Sequence, residues 1–315
     1  MPRLNILVVG QGSLEHAFYN AISKSNFVEK IFITHKTNYC SNIISYTDYD
    51  DLAKKALDNN IELVFVTNHN DINNGLVEIL NSYGLRCIGT NRKYSRLGSS
   101  DIFARKFMDK YNIRYIEINK LEQFKDENLL SVTSFYNGEK LINFEPVNLK
   151  LENNLKRESY CPIFLSYEKY DKLQNYLTLL EHALLEDDAN FEGFITSNLV
   201  WNNENWEVNN FTMTAENLTA QTLFTHIESD FLSNILFGTK QKYKEKTTGS
   251  INLYSKNNNE FVKPQNENIK IFYNTNNLPD LNTETNNNIL TLTTTTDFPI
   301  KELNKYSEQI QHKSE

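Results

Sequence analysis

The chain has little glycine, proline or cysteine: 10, 6 and 3 of its 315 residues, respectively. Glycine is therefore about 3% of the sequence against a usual ~7%. Loops that cradle nucleotide phosphates are ordinarily Gly-rich, so the shortage counts against a nucleotide enzyme. Cys40, Cys87 and Cys161 are scattered, odd in number and without metal-type pairing. They exclude a disulfide scaffold and predict a reduced, cytoplasmic setting. No apolar run reaches the length of a membrane span. The opening run (Leu4 to Val9) is too brief for a signal peptide and lacks a small-residue cleavage site. Basic residues are also in deficit, with 32 Lys+Arg against 40 Asp+Glu for a net charge of −8. An acidic chain without a Lys/Arg stripe repels phosphate backbones, which excludes nucleic acid as a partner.

What is present is enough for a core: 39% hydrophobic and 12% aromatic residues, with 45 Asn among the polar ones. The length fits two domains or one large one. Residues 4–10 are a continuous apolar run ending in Gly10, the pattern of a strand buried on both faces. A helix over 13–24 follows, with Leu14, Ala17, Phe18, Ala21 and Ile22 on one face. Strands over 28–34, 61–67 and 85–88 alternate with helices over 49–59, 72–83 and 100–111, the second stopped by Gly84 and the first capped near Asp48. This alternation predicts a Rossmann-like parallel sheet with helices on both faces. The pattern dissolves near 121–128.

The second half predicts antiparallel α+β. Strands over 129–136 and 140–144 flank Asn137-Gly138, a tight-hairpin dipeptide. A long amphipathic helix covers 167–186, a second hairpin 194–211, and one helix 219–236 ended by Gly238. Short strands over 250–254, 269–273 and 289–294 precede a last helix near 300–311, with the Asn/Thr-rich stretches 256–268 and 274–288 read as solvated loops.

Gly10-Gln11-Gly12 follows a strand and opens a helix, half of a dinucleotide fingerprint. The third glycine is replaced by Glu15, and the second strand ends in Ile33-Thr34-His35-Lys36 rather than in an acid that would hold a ribose, so NAD is disfavoured. The helix N-terminus still presents free N–H groups and a positive dipole end where a phosphate can sit. An ordinary strand–turn–helix accounts equally for two turn glycines. His69 and Asp71 offer an acid/base pair, although Asx-rich loops produce such pairs by chance.

The string Ser13-Leu14-Glu15-His16-Ala17, with Gly10 and Gly12 before it, resembles the opening of the glycinamide ribonucleotide synthetase (phosphoribosylamine–glycine ligase) family. That family begins with a strand, a run of glycines and Arg-Glu-His-Ala-Leu; here Gln11, Ser13 and Leu14 replace two glycines and the arginine. The likeness continues in order through Ile88-Gly89-Thr90-Asn91, Phe103-Ala104-Arg105, Phe107-Met108, Ser159-Tyr160-Cys161-Pro162 and Phe191-Glu192-Gly193-Phe194. It implies an ATP-grasp cleft that uses ATP and Mg²⁺, and it makes Gly10, Gly12, Ser13, Glu15 and His16 the phosphate or substrate residues. It also implies what is missing. Only 15 residues, 114–128, stand where the family has its ATP-binding subdomain and Gly-rich lid. Asp101 replaces a lysine, and the metal motif Glu-Phe-Asn-x-Arg-Phe-Gly-Asp reads Asn210-Phe211-Thr212-Met213-Thr214-Ala215-Glu216-Asn217. Glu216 is the one carboxylate left there as a metal candidate, against its reading as a surface group.

The expectation is a Rossmann-like domain (1–113), a truncated ATP-grasp-like region (114–240) and a small β-rich C-terminal domain (241–315). No cofactor is expected unless the ligase reading holds, in which case ATP and Mg²⁺ are. Three functions follow: an impaired or inactive ligase relative acting as a binding, regulatory or complementing subunit; a divergent active ligase; or a non-enzymatic binder of a small phosphorylated ligand. The expected partners are a phosphorylated metabolite and a protein supplying the ATP site, with no nucleic acid or membrane.

Overall fold

The computed structural model describes residues 3–10, 12–37, 39–116, 129–152, 155–254, 268–273 and 288–312. Gln11, the 121–128 stretch and nearly all of the two Asn/Thr-rich stretches lie outside them. The first half alternates β1 (Leu4–Val9), α1 (Ser13–Ile22), β2 (Val28–Ile33), α2 (Tyr49–Asp58), β3 (Leu63–Val66), α3 (His69–Asn73), α4 (Leu76–Ser82) and β4 (Arg86–Ile88), then α5 (Arg92–Ser99) and α6 (Asp101–Lys110). The four strands form one parallel sheet in the order β2-β1-β3-β4. Successive side chains go to opposite faces: Ile6 and Val8 join one core, Leu7 and Val9 the other. That double burial explains the unbroken apolar runs.

The second half contains β5 (Leu129–Tyr136), β6 (Leu141–Asn143), β7 (Val147–Glu152), β8 (Leu155–Cys161), α7 (Tyr167–Glu186), β9 (Gly193–Trp201), β10 (Trp206–Thr212), α8 (Thr219–His226), α9 (Phe231–Phe237), β11 (Thr248–Tyr254), β12 (Lys270–Tyr273), β13 (Asn288–Thr295) and α10 (Pro299–His312). Its strands build one antiparallel sheet, β10-β9-β5-β7-β8-β11-β13-β12, with β6 paired to β5. The C-terminal strands thus continue the same sheet, since β11 pairs with β8. No helix among the described residues is long and apolar enough to cross a membrane.

Three readings of the sequence are corrected. The helix expected over 72–83 is two, because Gly75 takes φ +87° and cannot continue a helix. Arg92 caps the break, donating to Asn73 O and Asn74 O at 3.0 Å. The helix expected over 219–236 is also two: Asp230 accepts from Ser233 N at 3.0 Å and starts α9 afresh. Both pieces bury apolar residues in one core, so their periodicity ran on across the break. The β7–β8 pair was not foreseen, although Val147, Leu149 and Leu151 alternate with polar residues.

An aromatic core locks the halves together. Phe18 of α1 contacts Phe194 of β9 at 5.4 Å and Phe224 of α8 at 5.0 Å between ring centroids, and Phe194 stacks on Phe231. Burying such rings stabilises by about 2–3 kcal/mol each.

Candidate functional site

In an open parallel sheet, ligands bind outside the carboxyl ends of the strands, where the strand order reverses. Here the reversal lies between β1 and β3, so the turn at Gly10–Gly12 faces the segment beginning at Thr67. Both glycines have positive φ, +145° and +132°. At Gly10 a side chain is also sterically excluded: a Cβ would collide with Glu15 Oε1 and approach Thr67 Oγ1 to 2.6 Å. The turn is held to β2 through Thr34 Oγ1, which donates to Gly10 O at 3.2 Å.

Glu15 is buried, 3% exposed, on the first turn of α1. Burial pushes its pKa up from 4.5, only partly offset by Thr67. Thr67 Oγ1 lies 2.9 Å from Val9 O and 2.5 Å from Glu15 Oε1. A hydroxyl has one proton to give. That proton is placed between two acceptors, the Val9 carbonyl and the Glu15 carboxyl. Glu15 thus closes the switch point from within the fold, its carboxyl engaged by Thr67 and its pKa raised by burial.

Its neighbour His16 is kept neutral. Burial, then the nearby Lys270, lowers its pKa to about 4. The ring stacks on Tyr39 at 4.0 Å between centroids and meets Phe272 edge-on at 5.1 Å. His35 beyond β2 and His69 at the start of α3 are likewise lowered by burial, while burial raises Tyr39. Among the described residues, no hydrogen-bond partner meets the buried Nδ1 atoms of His16, His35 and His69. Such groups are costly unless something meets them, so the ends of β1, β2 and β3 carry polar atoms with capacity to hydrogen-bond a ligand or water. Lys270, held down to about 8 by burial and by Lys24 and Lys244, adds positive charge beside His16.

Ser13 turns the other way. Its hydroxyl donates to Asn217 Oδ1 at 2.8 Å, tying the glycine turn to the start of α8. Glu216, one residue earlier, accepts from Asn198 Nδ2 at 3.2 and 3.4 Å and from Thr212 Oγ1 at 3.2 Å. Next in line, fully buried Leu218 adopts φ +73°, an outlier for a bulky residue. Among the described residues, no group of three His, Cys, Asp or Glu side chains able to share a metal includes Glu216.

The fold thus brings Gly10, Gly12, Ser13, Glu15 and His16 together at the end of β1, and links them to the segment bearing Glu216 through the Ser13–Asn217 hydrogen bond. It does not join His69 to Asp71, because Asp71 accepts from Tyr49 at 2.8 Å while His69 Nδ1 has no partner among the described residues. Thr67, His35 and Tyr39 were not singled out from the sequence. Their position just past strands β3 and β2 was the available signal.

Comparison with known proteins bears on both halves. The family model for the phosphoribosylglycinamide synthetase N domain matches residues 4–98. The bovine trifunctional purine biosynthetic protein adenosine-3 is 35% identical over 115 residues, which are 34% of this chain and 11% of that protein. Phosphoribosylamine–glycine ligase of Fusobacterium nucleatum is 31% identical over 117 residues, 35% of this chain and 27% of the ligase. The matched sequence therefore spans well under two thirds of these relatives. In fold the likeness is wider. The Thermotoga maritima phosphoribosylamine–glycine ligase aligns over 98% of this chain and 96% of its own, at TM-score 0.73 and 13% identity. A Campylobacter jejuni biotin carboxylase aligns over 93% of this chain and 87% of its own, at TM-score 0.67 and 10% identity.

Proposed function

We propose that the chain is a member of the phosphoribosylamine–glycine ligase family, a ligase-like protein of purine biosynthesis that binds a small phosphorylated metabolite without carrying out ATP-dependent ligation. The observation that carries this reading is the contrast between two segments. In one, the Gly10 turn keeps its positive-φ glycines, its helix N-terminus and buried polar atoms without partners among the described residues. In the other, Glu216 is held by Asn198 and Thr212, an amide and a hydroxyl.

Magnesium takes hard anionic oxygens and keeps near-octahedral geometry. One carboxylate bound on both oxygens by an amide N–H does not fit a site that must neutralise Mg²⁺ together with a nucleotide triphosphate. In catalysis of this kind each lost charge-stabilising group typically costs orders of magnitude in rate. The Asn and Thr at 210, 212 and 217 leave no second carboxylate within the 210–217 stretch apart from Glu216. In this reading Ser13 belongs to the scaffold, since it binds Asn217, and His16 is the residue placed to hydrogen-bond a ligand in neutral form.

Calorimetry of the full chain with ribose 5-phosphate tests the binding half. Saturable binding, weakened about tenfold by His16→Leu, is expected from the loss of one hydrogen bond. Absence of heat above dilution, with the fold intact by circular dichroism, would contradict it.

A further inference from the structure

Among the described residues, one set of metal-ligating side chains converges, and it lies outside the site above. Cys161 ends β8, His226 ends α8, and Glu145 stands in the connection between β6 and β7. Their ligand atoms all lie within 4.8 Å of one another. Three separate elements, 16 to 81 positions apart in the sequence, thus deliver one thiol, one imidazole and one carboxylate to a single point.

Each member is prepared for that role. His226 is 1% exposed; its Nε2 faces Glu145 Oε2 at 3.2 Å, while Nδ1 is engaged with Thr248 Oγ1 at 3.0 Å. Thr248 is itself fixed by Thr295 Oγ1 at 2.8 Å. A second hydrogen bond of this kind sets the tautomer and orientation of a metal-binding imidazole. Glu145 Oε2 is buried, and among the described residues only His226 Nε2 approaches it. Its backbone N–H donates to the Tyr243 hydroxyl at 3.0 Å, which anchors the connection, and Tyr243 stacks on His226. Cys161 is fully buried and unbridged.

We propose that Glu145, Cys161 and His226 form a Zn²⁺ site with three protein ligands and one open position. The donor set is the borderline-soft S, N, O combination that Zn²⁺ takes, and thiolate plus carboxylate neutralise its two charges. Tetrahedral Zn²⁺ holds such donors about 3.4–3.6 Å apart. The 3.2 Å between Nε2 and Oε2 is close to that spacing, so closure on an ion needs shifts of about an ångström or less. A bound ion would pin the β6–β7 connection, β8 and α8 to one another.

Titration of the purified full chain, first stripped with chelator, with Co²⁺ as a spectroscopic stand-in tests this. A single equivalent should give a thiolate-to-cobalt absorption band that Zn²⁺ displaces, and Zn²⁺ should raise the Tm. Cys161→Ser should abolish the band, whereas Cys40→Ser should leave it. Glu145→Gln, partly exposed and least disruptive to folding, should weaken Co²⁺ binding about 100-fold, and Thr248→Val about 10-fold. The assignment is overturned by absence of a band in the wild-type chain, by a band that survives Cys161→Ser, or by unchanged affinity in Glu145→Gln. The last two outcomes hold against it even if His226 variants fail to fold.

Discussion

The Ser13 hydroxyl donates to Asn217 Oδ1 at 2.8 Å, a contact between residues 204 positions apart that joins the glycine turn of the parallel sheet to α8 of the antiparallel half. Asn217 also accepts from Gln221 at 3.2 Å, so its amide is shared between the two halves. Asn217 serves as a clasp between the two halves.

The clasp predicts an energetic coupling. In a double-mutant cycle, Ser13→Ala and Asn217→Ala should each destabilise the chain, and their combined cost should fall short of the sum by about 0.5–1.5 kcal/mol. Denaturant unfolding of the four proteins measures it. Strict additivity would show that the contact carries no energy.

Gly10 and Gly84 both have positive φ, but only Gly10 faces occupied space. Gly84→Ala, with nothing within 4 Å of the new Cβ, should cost about 1 kcal/mol. Gly10→Ala must displace Glu15 and Thr67 and should cost about 2–4 kcal/mol. Equal losses in the two variants would mean that the Glu15–Thr67 contact is not fixed in solution.

Glu15 and His16 adjoin one another yet pull the pH dependence in opposite directions. The folded pKa of Glu15 is raised above 4.5, so its stabilising contribution is whole below 4.5 and is lost as pH rises toward the folded value. His16 is lowered from 6.5 to about 4, so its contribution is whole above 6.5 and is lost as pH falls toward 4, amounting to roughly 3 kcal/mol. Glu15→Gln should remove the loss on the alkaline side, and His16→Phe, which keeps the stack on Tyr39, the loss on the acid side. Unfolding free energies from pH 4 to 8 check both, and parallel profiles for wild type and variants would refute the assignment.

The periodic elements were legible before the structure. β1, α2 with its Asp48 cap, the Asn137-Gly138 hairpin and α7 all stand where their residue patterns place them. Local signals failed where a tertiary contact decides. Gly75 breaks a helix because Arg92 is there to cap it, and Asp230 restarts one that apolar spacing alone would extend. At the site, sequence exposed the glycines and Glu15-His16, since strand–turn–helix junctions are marked locally. It concealed Thr67, Tyr39 and Asn217 as their partners, because these meet the turn only once the strands and α8 assemble. The raised pKa of Glu15 was equally hidden: the first turn of a helix favours an anion, but burial of the carboxyl opposes that preference.

We propose that the Gly10 turn binds a phosphorylated metabolite while the Glu216 segment does not support phosphoryl transfer. The direct measurement is ADP formation by the purified full chain supplied with phosphoribosylamine, glycine, ATP and Mg²⁺. The account predicts no ADP above the protein-free blank and no difference between wild type and Glu216→Gln. Glycine- and phosphoribosylamine-dependent turnover that disappears in Glu216→Gln would contradict it and establish a divergent ligase.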